Sequence, residues 1–200
     1  MHRTNLNRFI LAAALVTSLG GCASYGTQDN WTHLVDGTRG LENFDRIGDA
    51  VWKPADGAIE ATQPGKVTGY LVTRKNYRDF ELRAEIWATP DANSGIFMRC
   101  KDAKAINDES CYEVNIFDQR PDQTYATGAI VKVAAVAQPA PKAGGKWNTF
   151  EVSMKGNHLV VVMNGQKTVD VRDSKFADGP IALQLGRGTV KFRKVSVRTL

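Results

Sequence analysis

Residues 147–171, "WNTFEVSMKGNHLVVVMNGQKTVDV", contain three strand-like runs separated by two turn signals. Asn164-Gly165 lies between two apolar runs and is the strongest short sequence signal for a two-residue β-hairpin. Lys155-Gly156 marks a second turn before it. This stretch therefore predicts consecutive antiparallel strands.

The same pattern extends through most of the chain. Runs of about 6–10 residues alternate between apolar and polar positions, with turn residues between them and no sustained helical period. The sequence therefore predicts an all-β fold, a sandwich of two antiparallel sheets formed by residues 31–200. A short helix is expected only in residues 173–179 or near Asp45. The clearest alternation is in residues 79–88, with Phe80, Leu82, Ala84 and Ile86 inward and Glu81, Arg83, Glu85 and Trp87 outward.

The N-terminus has the features of a bacterial lipoprotein signal. Arg3 and Arg8 precede a short apolar run, and residues 19–22, "LGGC", resemble a lipobox in which Cys22 carries the lipid. Residues 1–21 are then a cleaved signal peptide and residues 22–30 a tether. Ala23 after the cysteine favours the outer membrane, with the domain facing the periplasm. The alternative is an ordinary cleaved signal with an incidental cysteine.

The net charge of the chain is only mildly basic. Cleavage would remove Arg3 and Arg8, so the formal charge falls from +5 to +3 over the mature chain. No run is rich in Lys or Arg, and nucleic acid is therefore not an expected partner. Membrane contact is expected through the N-terminal lipid only, and the sequence does not define an oligomeric state.

Cys100 and Cys111 are the cysteines that remain once Cys22 is lipidated. Export to an oxidising compartment favours a disulfide between them, and two buried free thiols are the alternative. A direct bridge across paired strands would place Met98 beside Glu113, because facing residues share a sheet face. Arg99 would then point away from Glu113 unless a β-bulge intervenes.

Several familiar chemistries have no support in the sequence. The three histidines, His2, His33 and His158, follow no zinc-binding spacing, and no nucleotide-binding glycine motif or G-x-S-x-G elbow is present. The acidic loop of residues 102–110 lacks a recognised calcium spacing. We therefore expect neither a metal site nor a cofactor.

Polar and aromatic side chains on the outward faces of strands form the remaining pattern. Carboxylates, amides and aromatic rings on one surface are typical of sugar binding, because the ring packs on the apolar sugar face and the planar groups bind hydroxyls. An ordinary solvated sheet face is the alternative. The candidates are Glu85 and Trp87 on one strand, Glu113 and Asn115 on another, Gln184, and Arg99 at the end of the strand before Glu113.

An ordered set of blocks resembles the 3-keto-disaccharide hydrolase family, also known as the DUF1080 domain. The blocks are "NSGIFMR", "CYEVNIFD", "TGAIV", "KWNTFEVSMKG", "MNGQKTVD", "GPIALQLG" and "VKFRKVSV", and they span nearly all of residues 31–200. The resemblance implies a concanavalin-like jelly roll. It also implies hydrolysis or eliminative cleavage of glycosides oxidised at C3.

The resemblance leads to a hypothesis for the site. A ketone at C3 acidifies the proton on C2, and Glu113 is the first candidate for the base that removes it. Asn115 would orient the sugar and Arg99 would stabilise the enolate. Asp118 and Glu85 are the alternative bases.

Three classes of function stay open at this stage: a 3-keto-glycoside hydrolase or lyase, a sugar-binding lipoprotein without catalysis, and a structural envelope lipoprotein. Convergence of Glu113, Arg99 and Gln184 in one concave site would favour the first class.

The lipobox generates a prediction for Cys22. Cys22→Ser removes the thiol that accepts the lipid, so the variant should fail to label with fatty acid and should leave the membrane fraction or accumulate unprocessed. Metabolic labelling and fractionation measure both effects. A Cys22→Ser protein that is still labelled and membrane-bound would contradict the lipid assignment.

Overall fold

The computed structural model describes Met1, residues 30–62 and residues 66–200. The rest of the expected signal peptide, Cys22 and the tether up to residue 29 lie outside the described residues. Within them the chain is almost entirely β, as the alternating pattern predicts. Short 3-10 helices occur at Leu41–Asn43, close to the position expected near Asp45, and at Gln123–Tyr125, whereas residues 173–179 form no helix.

A large sheet of eight antiparallel strands forms one layer of the described domain. The strand order is β11-β10-β9-β6-β13-β4-β3. Strand β1 lies on the same side of β13 as β4, and the two pair with different halves of β13. The strands are β1 (Thr32–Asp36), β3 (Val51–Ala55), β4 (Ala58–Thr62), β6 (Phe80–Ala88), β9 (Trp147–Lys155), β10 (His158–Met163), β11 (Gln166–Arg172) and β13 (Thr189–Thr199).

A small sheet of five antiparallel strands forms the second layer, in the order β2-β5-β12-β7-β8. Apart from β7 and β8, which are consecutive in the chain, the neighbouring strands of this sheet are distant in sequence, as in a jelly roll. The strands are β2 (Phe44–Ile47), β5 (Gly69–Thr73), β7 (Asn93–Met98), β8 (Tyr112–Ile116) and β12 (Ala182–Arg187).

The hydrophobic core lies between the inner faces of the two sheets. The inward positions predicted for β6 are all buried in it, and its outward positions are more exposed. Each large apolar side chain moved out of water stabilises the fold by roughly 1.5–3 kcal/mol. The alternation that predicted the sandwich is thus the pattern that forms its core.

The predicted hairpin at Asn164-Gly165 is confirmed. Met163 pairs with Gln166, and the two turn residues have φ of 51° and 80°. A two-residue turn with both φ positive matches the right-handed twist of the flanking strands, which explains why Asn and Gly occupy it.

The Cys100–Cys111 disulfide is present, but the strand register beside it differs from the expectation. Phe97, not Met98, pairs with Glu113. The physical reason is Arg99, which adopts a left-handed backbone with φ of 51° and adds one residue between the paired strands and the bridge. Cys100 therefore lies on the outer face of the small sheet, where it packs with Phe97.

Arg99 itself is almost completely buried, with 1% of its surface exposed. Its guanidinium donates to the carbonyl oxygens of Arg78 (2.7 Å), Gly156 (2.8 Å) and Phe176 (3.3 Å) and to Asp79 Oδ1 (3.1 Å). Burial lowers the pKa of the guanidinium, and Asp79 opposes this shift. Arg99 therefore connects the end of the β7–β8 hairpin to three loops and is not available for a bound sugar.

In the part of the chain that the structure describes, no helix is long and apolar enough to cross a membrane.

The Arg99 contacts generate a stability prediction. Arg99→Met should lower the free energy of unfolding by about 3 kcal/mol, because the Phe176 carbonyl in the interior, two part-buried carbonyl groups and Asp79 lose their donor. Urea unfolding without reductant measures the loss. Arg39→Met is the matched control, since Arg39 forms an exposed ion pair with Asp36 and should change stability by no more than about 0.5 kcal/mol. Equal stability of the two variants would contradict the role assigned to Arg99.

Candidate functional site

The outer face of the small sheet holds three of the predicted site residues. Glu113 and Asn115 project from β8, and Gln184 projects from β12, two strands away across β7. Strand β7 contributes Gly95 between Asn115 and Gln184, since Gly95 pairs with both. The alternation of β8 and β12 therefore brings these three side chains to one surface. The sequence had predicted a shared face for Glu113 and Asn115 and had left the position of Gln184 open.

Gly95 provides the space in which the Glu113 carboxylate lies. A Cβ atom at Gly95 would be 3.0 Å from Glu113 Oε1 and 3.3 Å from the ring of Phe97. Any larger residue would displace the carboxylate. Within the described residues no group donates a hydrogen bond to Glu113, so its two oxygens are free to take up a proton.

Glu113 is buried although it lies on an outer sheet face, with 7% of its surface exposed. An outer hydrophobic cluster beside it comprises Val72, Phe97, Cys100, Ile106, Cys111 and Ala182. The disulfide closes the loop of residues 101–110 over this cluster, and Ile106 is the loop's apolar contact with it.

Burial raises the pKa of Glu113 from 4.5 to about 7, and the negative charge of Asp108 adds to the shift. Arg120 and Lys132 act in the opposite direction but do not outweigh burial. Lys132 is itself bound to Asp108 and Glu109 at 3.2 Å each. A carboxylate with such a pKa exchanges its proton near neutral pH, as a general base must.

Tyr70 and Phe97 form the aromatic part of the site. Tyr70 is half-buried on β5 and pairs directly with Gln184 across the sheet. The Tyr70 ring meets the Phe97 ring edge-on with 5.6 Å between centroids, and Gln184 Nε2 donates to the Tyr70 hydroxyl at 3.4 Å. Tyr70 was not among the residues selected from the sequence. Tyr70 and Val72 are two residues apart on β5 and therefore point to the same face, which also carries Gln184. This spacing was the signal that could have identified Tyr70.

Two amide oxygens at this face are buried without a partner in the described residues, Gln184 Oε1 and Asn115 Oδ1. In each side chain the nitrogen is used elsewhere. Asn115 Nδ2 donates to the Tyr125 carbonyl at 2.5 Å, and Gln184 Nε2 donates to the Tyr70 hydroxyl. An unsatisfied buried acceptor costs about 1–3 kcal/mol, and a ligand hydroxyl would relieve that cost.

Arg99 does not join this site. Its guanidinium lies in the interior with the carbonyl groups of three loops, so the predicted contact with an enolate beside Glu113 is wrong. The physical reason is the left-handed backbone of Arg99, which turns the side chain inward. The positive charges whose field reaches Glu113 are instead those of Arg120 and Lys132, on loops that the strand pattern did not single out.

Asp118 also has a structural role. Its carboxylate accepts hydrogen bonds from Thr127 Oγ1 (2.6 Å) and from the backbone N–H groups of Ala143 (3.0 Å) and Gly144 (2.9 Å). These donors use the carboxylate oxygens to hold the surrounding loops together, so the oxygens are not directed at a bound sugar. The structure therefore does not support Asp118 as a catalytic residue.

Glu85 and Trp87 lie on the opposite surface of the protein. Both project from the outer face of the large sheet, where Glu85 pairs with Arg193 and Lys194, and Lys191 lies 5.6 Å from the centre of the Trp87 ring. Alternation placed them on an outward face but could not tell which sheet that face belonged to. Their assignment to the same sugar site as Glu113 is wrong.

In the described residues, no group of three or more His, Cys, Asp and Glu side chains could hold a metal ion. Calcium ligation in the loop of residues 102–110 was not expected from its spacing either. The structure shows that this loop uses Asp102 and Asn107 to cap its own backbone N–H groups.

Residues 30–198 match the model of the 3-keto-alpha-glucoside-1,2-lyase-like domain. The chain belongs to this family. The match confirms the resemblance found in the ordered sequence blocks and covers nearly the whole of the described domain. No curated protein matches the chain significantly.

Solved structures support the fold. Two crystal structures named "putative glycosyl hydrolase" from Parabacteroides distasonis superpose with TM-scores of 0.71 and 0.70, at 17% and 23% identity. They cover 85% of this chain each and 94% and 99% of their own chains. The carbohydrate-binding module CBM66 from Bacillus subtilis has a TM-score of 0.58 at 16% identity, covering 85% of this chain and 96% of its own. At these identities the likeness establishes the jelly-roll fold.

The raised pKa of Glu113 generates a prediction for stability against pH. The folded pKa of about 7 exceeds the ordinary value of 4.5, so the folded state retains a proton that the unfolded chain releases. Stability is therefore lost as pH rises from about 4.5 to 7, by up to about 3 kcal/mol. Glu113→Gln stays neutral and should become more stable than the native protein above pH 7.

Denaturant unfolding at pH 4 and pH 8 measures this effect. The exposed Glu151→Gln on the large sheet is the control and should follow the native profile. If Glu113→Gln also shows the native dependence of stability on pH, that result contradicts the desolvation of Glu113 that the structure indicates.

Proposed function

We propose that this protein cleaves 3-keto-glycosides by elimination, with Glu113 as the base. The observation that carries the proposal is a carboxylate with a pKa near 7 that faces a space left by Gly95 and receives no hydrogen bond from the described residues. Membership of the lyase-like family supports the substrate class.

The reaction balances with Glu113 and water alone. Glu113 takes the proton from C2, and the C–H electron pair forms the C2=C3 bond of an enolate with its charge on the C3 oxygen. When the ketone re-forms, that pair moves to C1=C2 and the C1–O bond to the aglycone breaks. The aglycone oxygen takes up the proton that Glu113 carries. Addition of water across C1=C2 converts the elimination into net hydrolysis.

The electrostatics of the site suit this chemistry. Burial raises the pKa of Glu113 to about 7 and makes its ionised form a stronger base than an exposed carboxylate. The positive charge of Arg120 acts on the same region and would favour the anionic enolate over the neutral ketone.

Non-catalytic carbohydrate binding is the second candidate. The unpartnered oxygens of Gln184 and Asn115 favour it, because acceptors of this kind bind sugar hydroxyls whether or not a reaction follows. The two candidates differ in one measurement, the release of the aglycone.

The setting is also part of the proposal. We propose that Cys22 anchors the mature protein to the outer membrane, with the domain facing the periplasm. The lipobox at residues 19–22 supports this, and so does the Cys100–Cys111 bridge, because structural disulfides persist in oxidising compartments.

The test is incubation of the purified protein with an aryl 3-keto-glucoside while the free aglycone is followed. The native rate should rise with pH towards about 7, because the base must be ionised. Glu113→Gln should lower kcat by about 100-fold or more. Deuterium at C2 should slow the native reaction if proton removal limits the rate.

Glu85→Gln is the matched control, since Glu85 was an alternative base and lies on the other sheet. It should retain native activity. Full activity of Glu113→Gln would exclude Glu113 as the base. Saturable binding of the sugar without any aglycone release would favour carbohydrate binding over catalysis as the function.

A further inference from the structure

We infer that Tyr70 is a second catalytic residue and Gln184 a substrate-binding residue that orients it. In this arrangement the Tyr70 hydroxyl donates to the C3 oxygen of the substrate, and Gln184 Oε1 accepts a hydrogen bond from the C4 hydroxyl. This inference rests on the proposed function and extends it from the base to the groups that recognise the ketone.

The sheet register brings these groups together on the outer face of the small sheet. Tyr70, Gln184, Gly95 and Asn115 form a single row across β5, β12, β7 and β8. Neighbouring strands are about 4.8 Å apart, so Gln184 and Asn115 are roughly 10 Å apart with Gly95 between them. The Glu113 carboxylate reaches over Gly95 from the next row. A sugar ring above Gly95 would therefore have Glu113 on one side and the Tyr70–Gln184 pair on the other.

The hydrogen bonds that Tyr70 and Gln184 already form determine which of their polar groups remain for a ligand. Gln184 Nε2 donates to the Tyr70 hydroxyl oxygen at 3.4 Å, so the hydroxyl hydrogen is left to donate elsewhere. Gln184 is 8% exposed, and its Oε1 has no donor among the described residues. The pair thus presents one donor and one acceptor side by side.

A 3-keto sugar carries the complementary arrangement. The C3 oxygen is an acceptor only, and the neighbouring C4 hydroxyl is a donor. If C2 faces Glu113, then C4 is the neighbour that faces Gln184, because C3 lies between C2 and C4 in the ring. The fit fixes the orientation of the substrate as well as its identity.

Tyr70 keeps its proton over the range in which Glu113 works. Burial raises the pKa of Tyr70, and the negative charge of Glu113 raises it further, against the opposing hydrogen bond from Gln184. A neutral phenol in a desolvated site stabilises negative charge that develops on an oxygen. In the reaction Tyr70 retains its proton throughout, and only its hydrogen bond strengthens as the enolate forms.

The test uses Tyr70→Phe in the native chain. Loss of one such donor should lower kcat by about 100-fold with little change in KM, since the interaction is made mainly in the transition state. Tyr77→Phe is the control, because it removes a phenol hydroxyl from a tyrosine that packs against Phe80 in the core instead of facing Gln184. It should leave kcat unchanged.

Gln184→Met is tested with two substrates, a 3-keto-glucoside and its 4-deoxy analogue. The native protein should cleave the 4-deoxy sugar at least about 10-fold less efficiently in kcat/KM, because Gln184 Oε1 is then left unpaired. Gln184→Met should no longer distinguish the two. Thermal melting of each variant separates these effects from unfolding.

The outcomes separate this inference from the proposed function. A native protein that cleaves and a Glu113→Gln variant that does not, together with an unchanged kcat in Tyr70→Phe, would overturn the inference and leave the function standing. Continued preference of Gln184→Met for the 4-hydroxyl would overturn the assignment of Gln184. A native protein that releases no aglycone would overturn both the function and the inference.

Discussion

The left-handed backbone of Arg99 is the constraint on which the candidate site depends. In a regular strand Arg99 would share the outer face with Phe97, Cys100 would point inward with Met98, and the bridge to Cys111 would lie in the core. The extra residue instead directs Arg99 into the interior and Cys100 to the outer face beside Phe97. The strained φ costs on the order of 1 kcal/mol, which the four hydrogen bonds of the guanidinium offset.

One consequence is a second hydrophobic cluster on a surface that sandwiches usually expose to water. The disulfide and Ile106 cover the outer face next to Glu113, and the segment around Ala129 and Val131 hydrogen-bonds along the edge of β8. Every residue of β8 is consequently buried. The burial that raises the pKa of Glu113 to about 7 therefore results from loops and a bridge, and the strand itself supplies only the direction of the side chain.

This division between the strand pattern and the loops that cover it also sets what could be predicted from the sequence. Alternation and turn residues are local, so they predicted the two sheets, the Asn164-Gly165 hairpin and the shared face of Glu113 and Asn115. The roles of Asp118 and Arg99 depend on backbone groups at least 20 residues away in sequence, which no local pattern encodes. Alternation also gives a face without saying which sheet carries it, and Trp87 was misplaced for that reason.

The two outer faces of the sandwich differ in how their polar side chains are paired. On the large sheet charged side chains meet opposite charges, as Glu85 meets Arg193, Glu81 meets Arg198 and Glu60 meets Lys191. On the small sheet Gln184 Oε1 and Asn115 Oδ1 are buried without a donor within the described residues. Unsatisfied groups in a buried position lower stability. These two lie beside Glu113, where the proposed substrate would complete their hydrogen bonds.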